Sequence, residues 1–174
     1  MKVSIYIAQS LDGYIARPDG GLDWLEHDAG DDDYGYHAFM AGVDVIVMGR
    51  GTFEMVASFG GAWPYAVPVV VLSTTLREIP EALTDHAQLM SGAPADVLAA
   101  LAAQDYGHVY VDGGITAQGF IAAGLVDALI VTTLPILLGQ GKPLFGAVPA
   151  DIHLSLVSCE GFASGVTQVR YNVG

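Results

Sequence analysis

Three short segments of the sequence combine glycines with hydroxyl side chains, and two of the three also carry an arginine. They are Gly49-Arg50-Gly51-Thr52, Ser73-Thr74-Thr75-Leu76-Arg77 and Asp112-Gly113-Gly114-Ile115-Thr116. Glycines let backbone N–H groups approach an anion closely, and a guanidinium binds a phosphate through two parallel hydrogen bonds. Taken singly, each segment is more typical of a turn, a helix cap or a solvated arginine. The three together predict a site for a phosphate-bearing ligand.

Apolar runs precede these segments, and helix-like patterns follow or separate them. β-Branched runs with few polar breaks occupy residues 3–9, 43–49, 67–73 and 108–114, as in strands that are covered on both faces. Helical patterns are predicted between the runs, at residues 31–42, 51–60, 93–104 and 116–124. This alternation predicts a largely parallel sheet with right-handed crossovers. The three segments therefore follow the carboxyl ends of strands, where sheets of this kind bind ligands.

The end of the chain has a different pattern. Residues 152–173 form two strand-like runs around the segment EGFASG, whose length suits a hairpin turn. The predicted fold class is therefore α/β, a three-layer sandwich with a mixed, mostly parallel sheet and a C-terminal antiparallel hairpin. A length of 174 residues is typical of one domain, so residues 1–174 are predicted to form a single domain.

Composition excludes several classes of protein. A formal net charge of −13 repels polyanions, which argues against nucleic acid and anionic membranes as partners. No apolar run reaches the length of about 18 residues that a membrane span needs, and the N-terminal residues lack the pattern of an export signal. A cytoplasmic protein is predicted. Cys159 is the sole cysteine, so no disulfide or metal site is expected, and a small buried core residue is its predicted role.

Five stretches, in order along nearly the whole chain, are similar to a known family. They are SLDGYIA (10–16), VIVMGRGTFE (45–54), VVVLSTT (69–75), VYVDGGITAQGFIAAGLVD (109–127) and LPILLGQGKPLF (134–145). The sequence resembles the dihydrofolate-reductase-like fold, and within it the reductase domain of the bifunctional riboflavin-biosynthesis deaminase-reductases and their stand-alone relatives. The zinc-binding deaminase half of those proteins has no counterpart in this sequence, so only the reductase half can be carried over.

The resemblance implies NADPH as the cofactor. It places Gly49, Arg50 and Thr52 at the adenosine 2′-phosphate and the pyrophosphate, and Ser73 and Thr74 in a second loop that holds the 2′-phosphate, with Arg77 as a possible helper. A glycine-rich turn over the pyrophosphate is formed by Gly113, Gly114, Ile115 and Thr116. In the dihydrofolate reductases this turn contains a cis peptide bond.

The resemblance also implies the residues that bind the substrate. It places Ala8, Ser10, Asp12 and Trp24 along the first strand and the loop after it. Thr132 matches a substrate-facing hydroxyl of the dihydrofolate reductases, although threonine is also common in strands for packing reasons alone.

Two carboxyl groups are the candidate catalytic residues. Asp33 lies at the position of the carboxylate that binds the pterin in dihydrofolate reductases, with Asp31 and Asp32 before it. All three could equally be helix N-terminal carboxylates that interact with the helix dipole. Asp112 matches a carboxylate that contacts the substrate's ribose in the riboflavin branch, or it is a turn-forming residue before glycine. Of the two, Asp33 is preferred as the proton donor, with a pKa raised by enclosure among Trp24, Phe39 and the nicotinamide.

The predicted function is NADPH-dependent transfer of hydride to a small planar heterocycle, pterin-like or aminopyrimidine-like, or to a related carbonyl or imine compound. The alternative is a non-catalytic nucleotide-binding protein of the same fold. No lysine or arginine occurs between Arg17 and Arg50, so Arg17 and Lys142 are the only candidates for a substrate phosphate. A homodimer is also predicted, through Leu137, Leu138, Leu144 and Phe145 in the segment 134–145.

Overall fold

The computed structural model describes residues 1–25 and 32–174. Its strands are β1 (Lys2–Ser10), β2 (Tyr14–Ala16), β3 (Val45–Gly49), β4 (Val69–Leu72), β5 (Ala87–Met90), β6 (His108–Asp112), β7 (Ala128–Leu134), β8 (Lys142–Pro143), β9 (Leu154–Gly161) and β10 (Thr167–Val173). Its α-helices are α1 (Tyr36–Met40), α2 (Arg50–Ser58), α3 (Pro94–Ala102) and α4 (Gly114–Ala122). Single turns of 3₁₀ helix cover Asp23–Leu25 and Glu81–Leu83.

Eight of the strands form one mixed sheet in the order β5-β4-β3-β6-β1-β7-β10-β9. The pairs from β5 to β7 are parallel, whereas β10 runs antiparallel to both β7 and β9. β2 and β8 form a separate two-stranded antiparallel pair. The predicted fold class is confirmed, because the sheet is mostly parallel and ends in an antiparallel hairpin.

The strands have apolar side chains on both faces because helices cover both faces of the sheet. On β1, Val3 and Ile5 pack in the cluster that contains residues of α3 and α4. Tyr6 points to the opposite face, where Phe53 of α2 and residues of α1 pack. Successive side chains of a strand alternate between faces, so each central strand contributes to both clusters. The loops at the carboxyl ends of β3, β4 and β6 emerge together at one edge of this sandwich.

The structure differs from the sequence prediction in three local features. α1 begins at Tyr36 and not near residue 31, because Tyr34 and Gly35 have positive φ values of 51° and 83° that no α-helix accommodates. β5 has four residues, AQLM, and was not predicted. Cys159 was expected in the core, but it lies exposed on β9.

Asp31, the first carboxylate of the triplet, lies outside the described residues. Within the described ranges, no helix combines the length and the apolar character that a membrane span requires.

Candidate active site

The first predicted phosphate-binding segment, Gly49–Thr52, lies against both of the others. A Cβ atom placed on Gly49 would lie 2.8 Å from the Thr116 hydroxyl, and one placed on Gly113 would collide with the Thr52 hydroxyl. Arg50 reaches the middle segment, where its Nη1 donates to Thr75 Oγ1 at 3.1 Å. This convergence follows from the sheet order, since β3 lies between β4 and β6.

Two helices begin at this point. α2 begins at Arg50 after Gly49, and α4 begins at Gly114 after Gly113, which has a φ of +86°. Neither helix has a side-chain cap among the described residues. Uncapped first-turn N–H groups and the positive end of the helix dipole favour anion binding. The arrangement can therefore hold two neighbouring phosphate groups of a dinucleotide.

The cation in this crevice is Arg50. Its side chain is exposed, its Nε lies 3.3 Å from Glu54 Oε1 one turn along α2, and its Nη1 binds Thr75. Ser73 Oγ accepts N–H groups from Thr75 and Leu76 at 3.1 and 2.9 Å, so Ser73 also closes a local turn. Thr75 was not among the predicted cofactor ligands, although it is the third hydroxyl of the same loop.

The remaining predicted cofactor residues, Thr74 and Ile115, are exposed at this edge. The glycine turn differs from that of the dihydrofolate reductases in one respect: the described residues contain no cis peptide bond.

A cavity of about 170 Å³ opens on the face of the sheet that α1 and α2 cover. It is lined by Tyr6, Ala8, Leu25, Asp33, Tyr34, Thr132 and Leu134. Ala8, Asp33 and Thr132 were predicted to meet the substrate, and the structure brings these three together. Pockets for whole drug-sized ligands usually measure about 300 Å³ or more, so this cavity suits a single ring system.

The floor of the cavity contains a buried polar network. Gln168 Nε2 donates to Tyr6 Oη at 3.0 Å, to the Tyr34 carbonyl at 2.9 Å and to Thr132 Oγ1 at 2.9 Å. Tyr6 Oη in turn donates to the Tyr34 carbonyl at 2.7 Å. Arg170 Nη2 donates to Gln168 Oε1 at 3.0 Å.

The neighbours of Gln168 fix the orientation of its amide. Arg170 is only a donor, so Oε1 must face it, and the Tyr34 carbonyl is only an acceptor, so Nε2 must face that side. Thr132 therefore accepts a hydrogen bond from Gln168 and keeps its own proton for another acceptor. Burial raises the pKa of Tyr6, which stays a neutral hydroxyl at this floor. Sequence reasoning missed Tyr6, Gln168 and Arg170.

Asp33 lines the cavity, but the expectation of a raised pKa is wrong. The N–H groups of His37 and Gly35 both donate to its carboxylate at 2.9 Å, and the His37 ring contacts it as well. These bonds lower its pKa to about 2, with the His37 N–H making the largest contribution. The expected enclosure does not occur, since the Asp33 side chain is 39% exposed and neither Trp24 nor Phe39 lines the cavity with it. Asp33 is therefore an ionised acceptor at neutral pH.

The pKa of Asp112 is shifted in the opposite direction to that of Asp33. It lies half-buried at the end of β6, and burial raises its pKa against the opposing hydrogen bonds from the Gly113 N–H and the Tyr110 hydroxyl. Two half-buried tyrosines, Tyr36 and Tyr65, lie close enough for the Asp112 charge to raise their pKa values. The pKa of Tyr36 is raised to about 12 and that of Tyr65 is raised as well, in each case mainly by burial and next by Asp112. Burial is therefore the main cause of the raised pKa of Asp112.

The other three predicted substrate residues have different contacts. Ser10 is fully buried and donates to Asp12 Oδ1 at 2.6 Å. The Asp12 carboxylate also accepts N–H groups from Leu138 at 3.1 Å and Gly139 at 2.7 Å, so it ties the loop after β1 to the loop after β7. These bonds, the one from Ser10 first, lower its pKa. Trp24 is 1% exposed and packs against Leu134. Their contact with substrate stays a prediction.

Comparison with known proteins gives relatives over the full length. YwjB of Bacillus subtilis is 31% identical over 98% of this chain and 97% of its own length. A crystal structure from Shewanella sp. PV-4, named for riboflavin biosynthesis, is 41% identical with a TM-score of 0.95, and the match covers 100% of this chain and 99% of that one.

More distant solved structures share the fold. The deaminase/5-amino-6-(5-phosphoribosylamino)uracil reductase of Thermotoga maritima is 15% identical with a TM-score of 0.76, over 99% of this chain and 56% of that one. Dihydrofolate reductase from Enterococcus faecalis, in complex with NADP(H), is 19% identical with a TM-score of 0.66, over 99% of this chain and 96% of that one.

The family comparison covers almost the entire sequence. The family described as the RibD C-terminal domain matches residues 1–168. That match includes all three strand-end loops and the cavity-lining residues of β1, of β7 and of the segment before α1. The chain belongs to the RibD C-terminal domain family.

Proposed function

We propose that this chain is an NADPH-dependent reductase of a small planar heterocycle, pterin-like or aminopyrimidine-like, and that residues 1–174 act as a single cytoplasmic domain. The family and its fold neighbours support a reductase in general. The observation that carries the finer proposal is that the loop after β3 lies against the loops after β4 and β6, at the carboxyl ends of the strands. A ring-sized cavity on the adjoining strands adds to this support.

The residues at the sheet edge fit a dinucleotide phosphate. Gly49 and Gly113 leave room that a Cβ would fill, and two uncapped helix N-termini offer N–H groups. Arg50 would bind the 2′-phosphate with the hydroxyls of Ser73, Thr74 and Thr75. When bound, NADPH supplies a hydride to the substrate ring.

The residues that line the cavity would orient the ring, and Asp112, at the end of the neighbouring strand β6, would supply the proton. Asp33, being ionised, would accept a ring or amino N–H, and the Thr132 hydroxyl would donate to a ring acceptor. Asp112, whose pKa is raised, would donate the proton to the nitrogen or oxygen that gains negative charge. Ala8, Leu25 and Leu134 supply apolar walls that exclude water.

The cofactor assignment predicts a specific effect of Arg50→Gln. A hydrogen bond to a charged group contributes about 1.5 to 3 kcal/mol, so NADPH affinity should fall by roughly 10-fold to 150-fold. NADH lacks the 2′-phosphate, and its affinity should change little. Titration of both cofactors by protein fluorescence or calorimetry measures the two constants.

Lys2→Gln is the matched control, because it removes one positive charge at the start of β1, far from the carboxyl ends of the strands. It should leave both affinities unchanged. Equal affinity of the unmodified protein for NADPH and NADH would contradict the cofactor assignment.

We also propose a homodimer, but through a different surface from the segment 134–145. Leu144 is fully buried and Leu138 packs in the Trp24 cluster, which leaves Leu137 and Phe145 exposed in that segment. The larger exposed apolar surface lies on the edge strand β9, formed by Leu154, Leu156 and Val157 at 42%, 63% and 58% exposure. An unpaired edge strand with an apolar surface favours pairing with a second copy.

The dimer proposal is tested by light scattering at micromolar concentrations. The unmodified protein should show twice the chain mass of 18.2 kDa, and Leu156→Glu should return it to the mass of one chain. Leu137→Glu, at an equally exposed position of the other segment, should remain dimeric. A monomeric unmodified protein would contradict the proposal, and dissociation by the Leu137 variant alone would move the interface to the segment 134–145.

A further inference from the structure

We infer that the substrate of this site carries no phosphate, and that Asp33 helps to exclude phosphorylated analogues. This inference rests on the proposed function and specifies its substrate class. It concerns the part of the substrate that extends from the ring towards solvent. It rests on the charges that line the cavity and on the positions of all lysines and arginines.

The cavity wall carries a fixed negative charge. Asp33 is one of its lining residues and is held ionised by two backbone N–H groups and His37. Asp32 lies next to it, exposed, and accepts the Tyr34 N–H at 2.8 Å. A dianionic phosphate brought to this rim would meet like charges, which interact over several ångströms at low ionic strength.

The chain's six lysine and arginine residues are all described by the structure, and each lies elsewhere or is already bonded. Lys2 begins β1 at the opposite edge of the sheet, and Arg50 and Arg77 lie in the cofactor loops. Arg17, one of the two predicted phosphate ligands, makes a two-point ion pair with Asp23 at 2.7 and 2.8 Å. The prediction for Arg17 therefore lacks structural support.

The remaining two cations are Lys142 and Arg170. Lys142, the second predicted ligand, lies on β8 beside Gly20, where a built Cβ would be 3.2 Å from its Nζ and 3.5 Å from Met55 of α2. Arg170 lies nearest the cavity, but its guanidinium donates to Gln168 Oε1 beneath Gly35. Arg170 therefore orients the floor amide and does not extend towards solvent.

These observations set this site apart from one structural neighbour. The name of the Thermotoga maritima protein specifies a phosphoribosylamino-uracil, whose phosphate requires a cationic partner. In the described part of this chain, the charged group that lines the cavity is the Asp33 carboxylate, with the His37 ring in contact with it and Asp32 next to it in sequence. An uncharged pyrimidine or its unphosphorylated riboside matches this environment better than the phosphate ester does.

The test compares two ligands that differ only in the phosphate. Binding of 5-amino-6-ribosylaminouracil and of its 5′-phosphate to the NADP⁺-loaded protein is measured by calorimetry at 20 mM and at 500 mM salt. At low salt the unphosphorylated compound should bind at least about tenfold more tightly. At high salt the ratio of the two affinities should fall several-fold, because the Debye length falls to roughly 4 Å and the charges are screened from each other.

Two variants, each of which removes one negative charge, complete the test. Asp33→Asn should reduce several-fold the low-salt ratio of the affinity for the unphosphorylated compound to the affinity for its 5′-phosphate. Asp105→Asn removes an equivalent charge after α3, at a position whose φ of +62° asparagine tolerates, and should leave the ratio unchanged.

Each other outcome overturns the inference. Equal or tighter binding of the phosphate ester contradicts it directly, and a preference that depends on neither salt nor Asp33 shows steric and not electrostatic exclusion. If neither compound binds, the substrate class is wrong, while the preference for NADPH over NADH still tests the proposed function separately.

Discussion

Replacing Asp112 with asparagine is expected to lower turnover of a reducible pterin or aminopyrimidine by a factor of about 10² to 10⁴, the usual contribution of a positioned acid. NADPH affinity should be nearly unchanged, because the proposed cofactor contacts nearest to Asp112 are backbone groups of the following turn. Asp112 has the required property, since burial raises its pKa and favours the protonated form. Stopped-flow measurement of hydride transfer under single-turnover conditions separates this step from product release.

If Asp112 is the general acid, the direction in which the rate changes with pH can be predicted. A general acid must be protonated, so the rate should fall as the pH rises through the raised pKa of Asp112. The asparagine variant should lose that fall and keep a low, flat rate. If the variant retains both the full rate and the fall with pH, the proton comes from another group or from water.

Asp33→Asn is the contrasting variant. Asp33 is ionised down to a pH of about 2, so it can bind a ring N–H but cannot supply a proton at neutral pH. Its replacement should mainly raise KM and should preserve the fall of rate with pH. The opposite pattern, in which Asp33→Asn removes the pH dependence and Asp112→Asn does not, would restore the preference drawn from the sequence.

The positions of the three strand-end loops could be predicted from the sequence because their signals are local. Gly49-Arg50-Gly51-Thr52 and Asp112-Gly113-Gly114 each follow a β-branched run directly, and the parallel sheet brings such strand ends to one edge. The fold class was predictable for the same reason, since strand and helix patterns alternate over most of the chain. A strand of four residues such as β5 is too short for its hydrophobic pattern to be recognised.

The cavity floor could not be predicted, because it depends on the register of distant strands. Gln168 pairs with Thr132 across the antiparallel contact of β10 and β7, and Thr132 pairs with Ala8 on β1. Only this register places the Gln168 amide against Tyr6, 162 residues away in sequence. The sole local signal is a glutamine and an arginine at alternate positions of a strand, which also describes an ordinary solvent-facing edge.

The pKa of Asp33 was mispredicted for a related reason. Sequence reasoning placed the carboxylate on a helix enclosed by aromatic rings, where burial would raise its pKa. The left-handed conformations of Tyr34 and Gly35 instead start α1 later, so that Asp33 precedes the helix and accepts N–H groups from Gly35 and His37. Two backbone dihedral angles thus reverse the direction of the shift, and composition does not reveal them.

Gly113→Ala is expected to weaken NADPH binding by at least about tenfold and to destabilise the fold by about 1 to 3 kcal/mol, the usual cost of a strained backbone position. Gly113 has a φ of +86°, and its Cβ would collide with the Thr52 hydroxyl and lie 3.3 Å from Thr52 Cβ. Relief of this contact requires Thr52 to change its side-chain conformation and α2 to shift from the start of α4, since Thr52 Cβ itself is close. The two helix N-termini proposed to hold the phosphates would then be less well aligned on the same ligand.

Gly124→Ala separates the backbone strain from the collision. Gly124 has a similar φ of +67°, but its Cβ would meet nothing within 4 Å. This control should lose stability, by about 1 to 2 kcal/mol, and keep its NADPH affinity. Adding Thr52→Ala to Gly113→Ala should recover part of the lost stability, because the hydroxyl is the nearest obstacle. If Gly113→Ala binds NADPH as tightly as Gly124→Ala does, the close approach of the two loops is not what shapes the cofactor site.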